Sequence, residues 1–249
     1  MANDRFGARR RPPATAGTLT NHLSGRVNPL TSALLVFPLF VGYQAGILAS
    51  RGQNGVDFIT RGLVELCARS LENYLLLLGG IVLVYAAVLV LLRRRGRFSP
   101  RAFGPVLLES SFYALSMGSL IVFVMHRVIG VAPSLALAQS TALVDILVIS
   151  AGAGLHEELV FRVGGMGVLA WLLAGLIGRK QAWLAALLLS SVAFSLAHHI
   201  GPAGEAFSFA AFVYRVLAGV FFALVYRVRG FAVAAWTHAL YDVYVLCLR

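Results

Sequence analysis

The sequence predicts an all-α, polytopic integral membrane protein with about eight transmembrane or membrane-embedded helices. Of its 249 residues, 59% are hydrophobic and only 12% are charged, whereas soluble domains have roughly 25% charged residues. The mean hydropathy is +0.82. A water-soluble domain of this length would have too few polar side chains to cover its surface. The expected solvent and partner is therefore a lipid bilayer.

The apolar stretches divide the chain into a tail and one helical membrane domain. Residues 1–28 are polar, basic and proline-bearing, which predicts a disordered cytoplasmic tail, and residues 29–249 form the membrane domain. Residues 51–73 have the pattern of an interfacial amphipathic helix. The first apolar stretch is too long for the core of a signal peptide and, at about 1.5 Å per residue, long enough to cross about 30 Å of hydrocarbon. The eight apolar segments are 30–50, 74–92, 105–125, 135–161, 163–177, 181–200, 206–226 and 230–248.

The positive charge of the chain indicates how these segments are oriented. Lysine and arginine number 21 against 10 acidic residues, and clusters at 5–26 and 93–101 flank apolar runs, as the positive-inside bias predicts for cytoplasmic loops. No aromatic-basic interleaving or zinc-finger spacing indicates a nucleic-acid partner. The two cysteines, Cys67 and Cys247, make no disulfide framework or metal cluster. We expect a bacterial cytoplasmic (inner) membrane.

An even number of segments predicts that both termini are cytoplasmic. It also places Glu157, Glu158 and His198 at the cytoplasmic ends of segments four and six, and Asp242 in the cytoplasmic half of segment eight. The same count leaves four basic residues outside, against the charge bias: Arg179, Lys180, Arg227 and Arg229.

Ionisable residues inside apolar segments indicate a functional site. At the centre of a spanning helix each costs about 2.5 to 3.5 kcal/mol on insertion scales, so such residues are expected to face the bundle interior. Six ionisable residues are expected to face the bundle interior for this reason: Glu157, Glu158, Arg162, His198, His238 and Asp242.

The spacing of these residues predicts which side chains cooperate. Glu158 and Arg162 are four residues apart and can pair on one helical face, while Glu157 points about 100° away and faces another helix. His238 and Asp242 are also four residues apart, so the carboxyl group can orient the ring. Each pair alone is compatible with a helix end in a loop or with an interhelical clamp. Together with His198 they supply the groups that activate water and stabilise an oxyanion.

Three short motifs carry a family resemblance. Glu157-Glu158-x-x-x-Arg162, Phe194-x-x-x-His198 and His238-x-x-x-Asp242, in this order and in separate apolar segments within 151–245, resemble the motifs of the CPBP family. This family of CAAX proteases and bacteriocin-processing enzymes, also called ABI, includes the type II CAAX prenyl endopeptidases.

The resemblance implies a glutamic-type intramembrane endopeptidase that acts on a membrane-associated protein or peptide without a metal or another cofactor. It implies that Glu157 and His198 deprotonate the attacking water. His238 with Asp242 would hold the oxyanion or orient the water, and Glu158 with Arg162 would support the site.

The motifs depart from the family at two places. Val163 and Gly164 follow the arginine, where many members have glycine directly after it. Asp242 stands where the prenyl endopeptidases have asparagine, which weakens the case for a prenylated substrate. Because an anionic carboxylate cannot donate a hydrogen bond to an oxyanion, we expect Asp242 to orient His238 or to be protonated.

Other protease classes fit the sequence less well. His156-Glu157 begins a string like the zinc motif H-E-x-x-H, but position 160 is valine, so the second ligand is missing. A zinc site built from three helices remains an alternative. Asp145 lacks the G-x-G-D context of aspartyl intramembrane proteases, and no G-x-S-G of a rhomboid-type serine protease is present.

A non-enzymatic membrane protein is the alternative from another class. In a transporter, or in an immunity or scaffold protein, the buried charges would form a proton or ion path. Glu109, Asp145 and Arg215 lie outside the motifs and fit this alternative, although no inverted repeat is found. Arg215 is expected to pair with Asp145, or to bind the C-terminal carboxylate of a substrate.

Overall fold

The fold is a bundle of helices, as the sequence predicts. The computed structural model describes residues 26–49, 65–67, 70–132, 142–200 and 204–248, and within these ranges it contains seven long helices and no strand. Six are long and apolar enough to cross a membrane, and the seventh is a shorter apolar helix, which confirms an all-α integral membrane protein. The helices are α1 (Pro29–Ala49), α2 (Leu71–Leu92), α3 (Phe103–Val124), α4 (Leu143–Ile177), α5 (Arg179–Ala197), α6 (Phe209–Arg229) and α7 (Phe231–Cys247).

Two of the predicted regions fall largely outside the described residues. They are the tail, of which residues 26–28 are described, and most of the amphipathic segment 51–73. The proposed division into a tail and one membrane domain therefore stays a prediction.

Helix α4 corrects the predicted segmentation, because the described part of segment 135–161 and the whole of segment 163–177 form one continuous helix. The two predicted segments were separated at Arg162. In the structure this arginine is fully buried and lies beside Glu158, so the helix continues through it. The next turn of the chain comes at Gly178, where φ is +79°, a value that glycine adopts without strain.

The first three helices alternate in direction. Tyr85 in α2 donates a hydrogen bond to the carbonyl oxygen of Ala33 near the start of α1, and Asn28 bonds the carbonyl of Arg97 beyond the end of α2. Ser110 in α3 donates to the carbonyl of Val233 near the start of α7. We call the end of the bundle where α1, α3, α5 and α7 begin the arginine-rich end, and the opposite one the distal end.

Contacts between residues from separate helices define the arginine-rich end. Arg26 donates a hydrogen bond to the carbonyl of Tyr226 near the end of α6, and Arg227 lies 5.7 Å from the ring centre of Trp183 near the start of α5. Arg229 forms a buried ion pair with Glu109 in α3, with N···O distances of 2.5 and 3.0 Å. Several basic residues that the eight-segment count placed on opposite sides therefore lie at the same end.

Helix α7 runs parallel to α1 through the centre of the bundle. The backbone N–H of Ala232 donates to Ser32, and the indole of Trp236 donates to the carbonyl of Leu35. Seven alternating helices place Pro29 and Cys247 at opposite ends of the bundle, whereas the even count predicted one side for both.

Small residues allow α4 and α7 to approach closely. A Cβ atom added at Gly154 would overlap the carbonyl oxygen of Ala235 and lie 2.7 Å from the Cβ of Ala239, both closer than van der Waals contact. Such small-residue contacts drive helix association in membranes, where the hydrophobic effect does not act between helices. This crossing brings the polar residues of α4 next to those of α7.

Candidate active site

The site begins where the backbone of α4 widens. Two stretches, Ala153–Glu157 and Leu159–Met166, are π-helical, with hydrogen bonds from residue i to i+5. Glu158 lies between them. Interruptions of this kind are rare and occur often at functional sites. They place the two adjacent glutamates in the part of the helix that departs most from α geometry.

Glu157 lies between two histidines that come from two other helices. Its side chain is 3% exposed, and its Oε2 atom is 3.8 Å from His198 Nε2 and 3.8 Å from His238 Nε2. These distances exceed direct hydrogen bonds, but a water molecule can bridge groups at such a separation. The expectation that Glu157 faces another helix and approaches His198 agrees with this placement.

Glu158 has a different set of neighbours. Its Oε1 atom accepts a hydrogen bond from His238 Nδ1 at 2.9 Å, and its Oε2 atom lies 3.3 Å from Arg162 Nε. Both Glu158 and Arg162 are fully buried. The sequence predicted the contact with the arginine but not the hydrogen bond to His238, because it involves residues eighty positions apart.

Asp242, the carboxylate expected to act on His238, lies farther from its ring than Glu158 does. Its Oδ2 atom lies 3.8 Å from His238 Nε2, whereas Glu158 bonds directly to Nδ1. The direct hydrogen bond to the ring thus comes from α4, and the expectation that Asp242 orients the ring or is protonated stays a prediction. Asp242 places a carboxylate beside the ring nitrogen that faces Glu157.

The hydrogen bond of His198 determines which nitrogen faces Glu157. Nδ1 lies 2.8 Å from the carbonyl oxygen of Phe194, and because a carbonyl can only accept, Nδ1 is the donor. Burial lowers the pKa of His198 to about 4, so the ring is neutral near pH 7. Nε2 of the neutral ring then carries a lone pair directed at the carboxylate of Glu157.

Aromatic rings enclose the deep part of the site. Phe222 in α6 stacks on the His238 ring, with a centroid distance of 4.3 Å and an interplanar angle of 18°. The guanidinium of Arg162 lies 4.5 Å from the ring centre of Phe194, a cation–π contact that is strongest when desolvated. Phe222 belongs to none of the three motifs, so the sequence pattern did not predict its place in the site.

Two glycine turns set the depths at which these groups meet. His198 lies twenty residues after Gly178, and Glu157 lies twenty-one residues before it. Phe222 and His238 each lie eight residues from Gly230, where φ is +96°. In each helical hairpin the two residues are nearly the same number of residues away from the glycine, so their side chains lie at the same depth in the bundle.

Charges outside the motifs form other contacts. Arg215 pairs with Glu205 at 2.6 Å, a partner that the sequence analysis did not predict. Glu109 pairs with Arg229. In the part of the chain that the structure describes, no group of three or more His, Cys, Asp or Glu side chains is arranged to hold a metal ion.

A comparison with protein families supports the resemblance carried by the three motifs. Residues 139–244 match the family model described as type II CAAX prenyl endopeptidase Rce1-like, a range that contains every predicted site residue. The family resemblance inferred from the sequence is thus confirmed, and the match indicates a CAAX-protease-like peptidase. No curated protein and no solved structure matches the chain.

Proposed function

We propose that this chain, whose residues 139–244 match the Rce1-like CAAX prenyl endopeptidase family, hydrolyses a peptide bond of a membrane-associated protein with Glu157 as general base. The observation that carries the proposal is the position of the Glu157 carboxylate, 3.8 Å from the Nε2 atoms of both His198 and His238. A carboxylate and two imidazoles from three helices thereby converge at separations that one water molecule can bridge.

Water is activated between Glu157 and His198. A water molecule here donates one hydrogen bond to the carboxylate and the other to the lone pair of His198 Nε2, which leaves an oxygen lone pair for attack. On attack its proton passes to Glu157, and Glu157 then delivers it to the leaving amine as the C–N bond breaks. General base catalysis of this kind contributes about 10² to 10⁴ in rate.

His238 stabilises the oxyanion. Glu158 holds its Nδ1–H, and the carboxylates of Glu158 and Asp242 favour the cationic form of the ring. A protonated Nε2 can donate to the developing negative charge, as oxyanion donors do. In this role Asp242 acts as a charge beside His238, which does not require that it donate a hydrogen bond itself.

The proposal is tested with purified protein in lipid nanodiscs. One fluorogenic peptide carries a prenylated cysteine followed by three residues, as the family description suggests, and a second is an apolar helix from a membrane protein without a lipid. The variants are Glu157→Gln and His198→Gln, and the matched control is Glu72→Gln, an exposed glutamate at the start of α2.

We expect cleavage of one peptide by the wild type and by the control, with a loss of about 10² or more in kcat for both site variants. Cleavage retained in Glu157→Gln would refute the role of this residue. If 1,10-phenanthroline abolishes cleavage and added zinc restores it, the enzyme is instead a zinc metallopeptidase.

If neither peptide is cleaved, the termini of membrane proteins are compared by mass spectrometry in cells that express the wild type or Glu157→Gln. A fragment present only with the wild type identifies the substrate. If no fragment differs between the two strains, the peptidase assignment fails.

A further inference from the structure

Basic residues are distributed unequally between the two ends of the bundle. Fourteen of the 21 lysine and arginine residues lie at the arginine-rich end or in the sequence attached to it. They are Arg5, Arg9, Arg10, Arg11, Arg26, Arg93, Arg94, Arg95, Arg97, Arg101, Arg179, Lys180, Arg227 and Arg229. Of the other seven, Arg162 and Arg215 belong to helices α4 and α6. Only five belong to the sequence around the distal end.

This imbalance indicates the orientation of the bundle. Short loops rich in lysine and arginine stay in the cytoplasm, so the arginine-rich end is the cytoplasmic one. The eight-segment count had left Arg179, Lys180, Arg227 and Arg229 outside, and the continuous α4 removes that conflict. The orientation therefore follows from the corrected helix count together with the charge bias.

Exposure within the candidate site increases toward the distal end. Arg162 and Glu158 are fully buried, and α4 runs toward the arginine-rich end, so Arg162 is the deeper residue on that side. Asp242 lies one turn beyond His238 in the direction of the distal end, and its side chain is 25% exposed. The deep part of the site thus faces the arginine-rich end, and its open part faces away from it.

His198 marks the open part of the site. It follows the last residue of α5, which begins at the arginine-rich end, and its side chain is 21% exposed. The twenty residues from Gly178 to His198 span about 30 Å at 1.5 Å per residue, close to the thickness of a hydrocarbon core. His198 is therefore near the membrane surface opposite the arginine clusters.

From this geometry we infer that the site opens at the non-cytoplasmic face of the membrane. Its substrate is then a segment of a protein that has been inserted into or translocated across the membrane, with the scissile bond in the non-cytoplasmic half of the bilayer. That the site has a protein substrate rests on the proposed function, but the direction in which the site opens does not. It reverses the sequence-based expectation of a site near the cytoplasmic interface.

Cysteine labelling tests the direction. In a background with Cys67→Ala and Cys247→Ser, single cysteines replace Ile200 beside the open part of the site and Val128 at the distal end, both exposed. Phe98 and Gln181, exposed at the arginine-rich end, are the matched controls. Spheroplasts of a bacterial host are treated with a charged, membrane-impermeant maleimide, before and after permeabilisation, and the purified variants are checked for a single folded species.

We expect Ile200→Cys and Val128→Cys to be labelled in intact spheroplasts, and Phe98→Cys and Gln181→Cys to be labelled only after permeabilisation. Labelling of Ile200→Cys only after permeabilisation, or on the same side as Phe98→Cys, would overturn the inference. Because labelling needs no substrate, this outcome is independent of the nanodisc assay. If the cleavage assay fails but the labelling is as expected, the peptidase assignment is refuted and the proposed orientation stands.

Discussion

Replacing Glu158 by glutamine is expected to destabilise the bundle strongly, because this carboxylate is the countercharge of a buried arginine. The side chain is fully buried, accepts a hydrogen bond from His238 at 2.9 Å and lies 3.3 Å from Arg162. Glutamine keeps the shape but leaves the buried guanidinium without its countercharge. Removing one partner of a buried ion pair costs about 3–5 kcal/mol, which is about 10² to 10³·⁵ in the unfolding equilibrium constant.

A matched control is the exposed pair of Glu205 and Arg215. The oxygen–nitrogen distance is shorter, 2.6 Å, but the glutamate side chain is 58% exposed. Pairs that water screens contribute about 0–1 kcal/mol, so Glu205→Gln should have little effect on stability. The comparison separates burial from distance, because the closer of the two pairs is predicted to matter less.

The measurement is reversible unfolding in mixed micelles by SDS, followed by tryptophan fluorescence. We expect the free energy of unfolding to fall by about 3–5 kcal/mol in Glu158→Gln and by at most about 1 kcal/mol in Glu205→Gln. The double variant Glu158→Gln/Arg162→Met should recover part of the loss, since it removes the uncompensated charge as well. Equal losses in the two single variants would refute the reasoning.

Two further predictions concern a helix crossing and an aromatic contact. In Gly154→Ala the new Cβ would overlap the backbone oxygen of Ala235, so we expect a lower melting temperature in detergent. Gly80→Ala, which meets nothing within 4 Å, should leave it unchanged or raise it through helix propensity. A small misplacement of a reacting group costs up to about 10² in rate. We therefore expect Phe222→Leu to lower kcat about tenfold at constant KM, because it frees the ring of His238. The control Phe221→Leu changes a ring that packs on Tyr113 and on Phe222 rather than on the ring of His238, and should retain kcat; equal losses in the two variants would contradict a role through His238.

The sequence predicted most of the fold because membrane solubility dictates it. Long apolar runs must be helical where no water satisfies the backbone, and this rule locates helices without any tertiary information. It failed at Arg162, because the rule treats a charged residue as the end of a segment. The neighbours that allow this arginine to be buried, Glu158 and the ring of Phe194, lie partly on another helix.

The site was predictable where its pairs lie on one helix. Spacing by four residues gave Glu158 with Arg162 and His238 with Asp242, since it follows from helical geometry alone. The hydrogen bond from His238 to Glu158 and the stacking of Phe222 depend on how helices cross. A single sequence carries no direct signal for a crossing, although the equal spacing of Phe222 and His238 about Gly230 offers an indirect one.

The glycine turns at Gly178 and Gly230 restrict how the helices of this bundle can be lengthened. The side chains of the site lie at matching distances along both arms of each hairpin. Adding one helical turn to both arms would therefore move these side chains to a new depth in the membrane and keep them in contact. Adding a turn to one arm alone would shift one partner by about 5.4 Å and separate it from the other. Adaptation to a thicker bilayer would thus require paired insertions, one on each side of the same glycine.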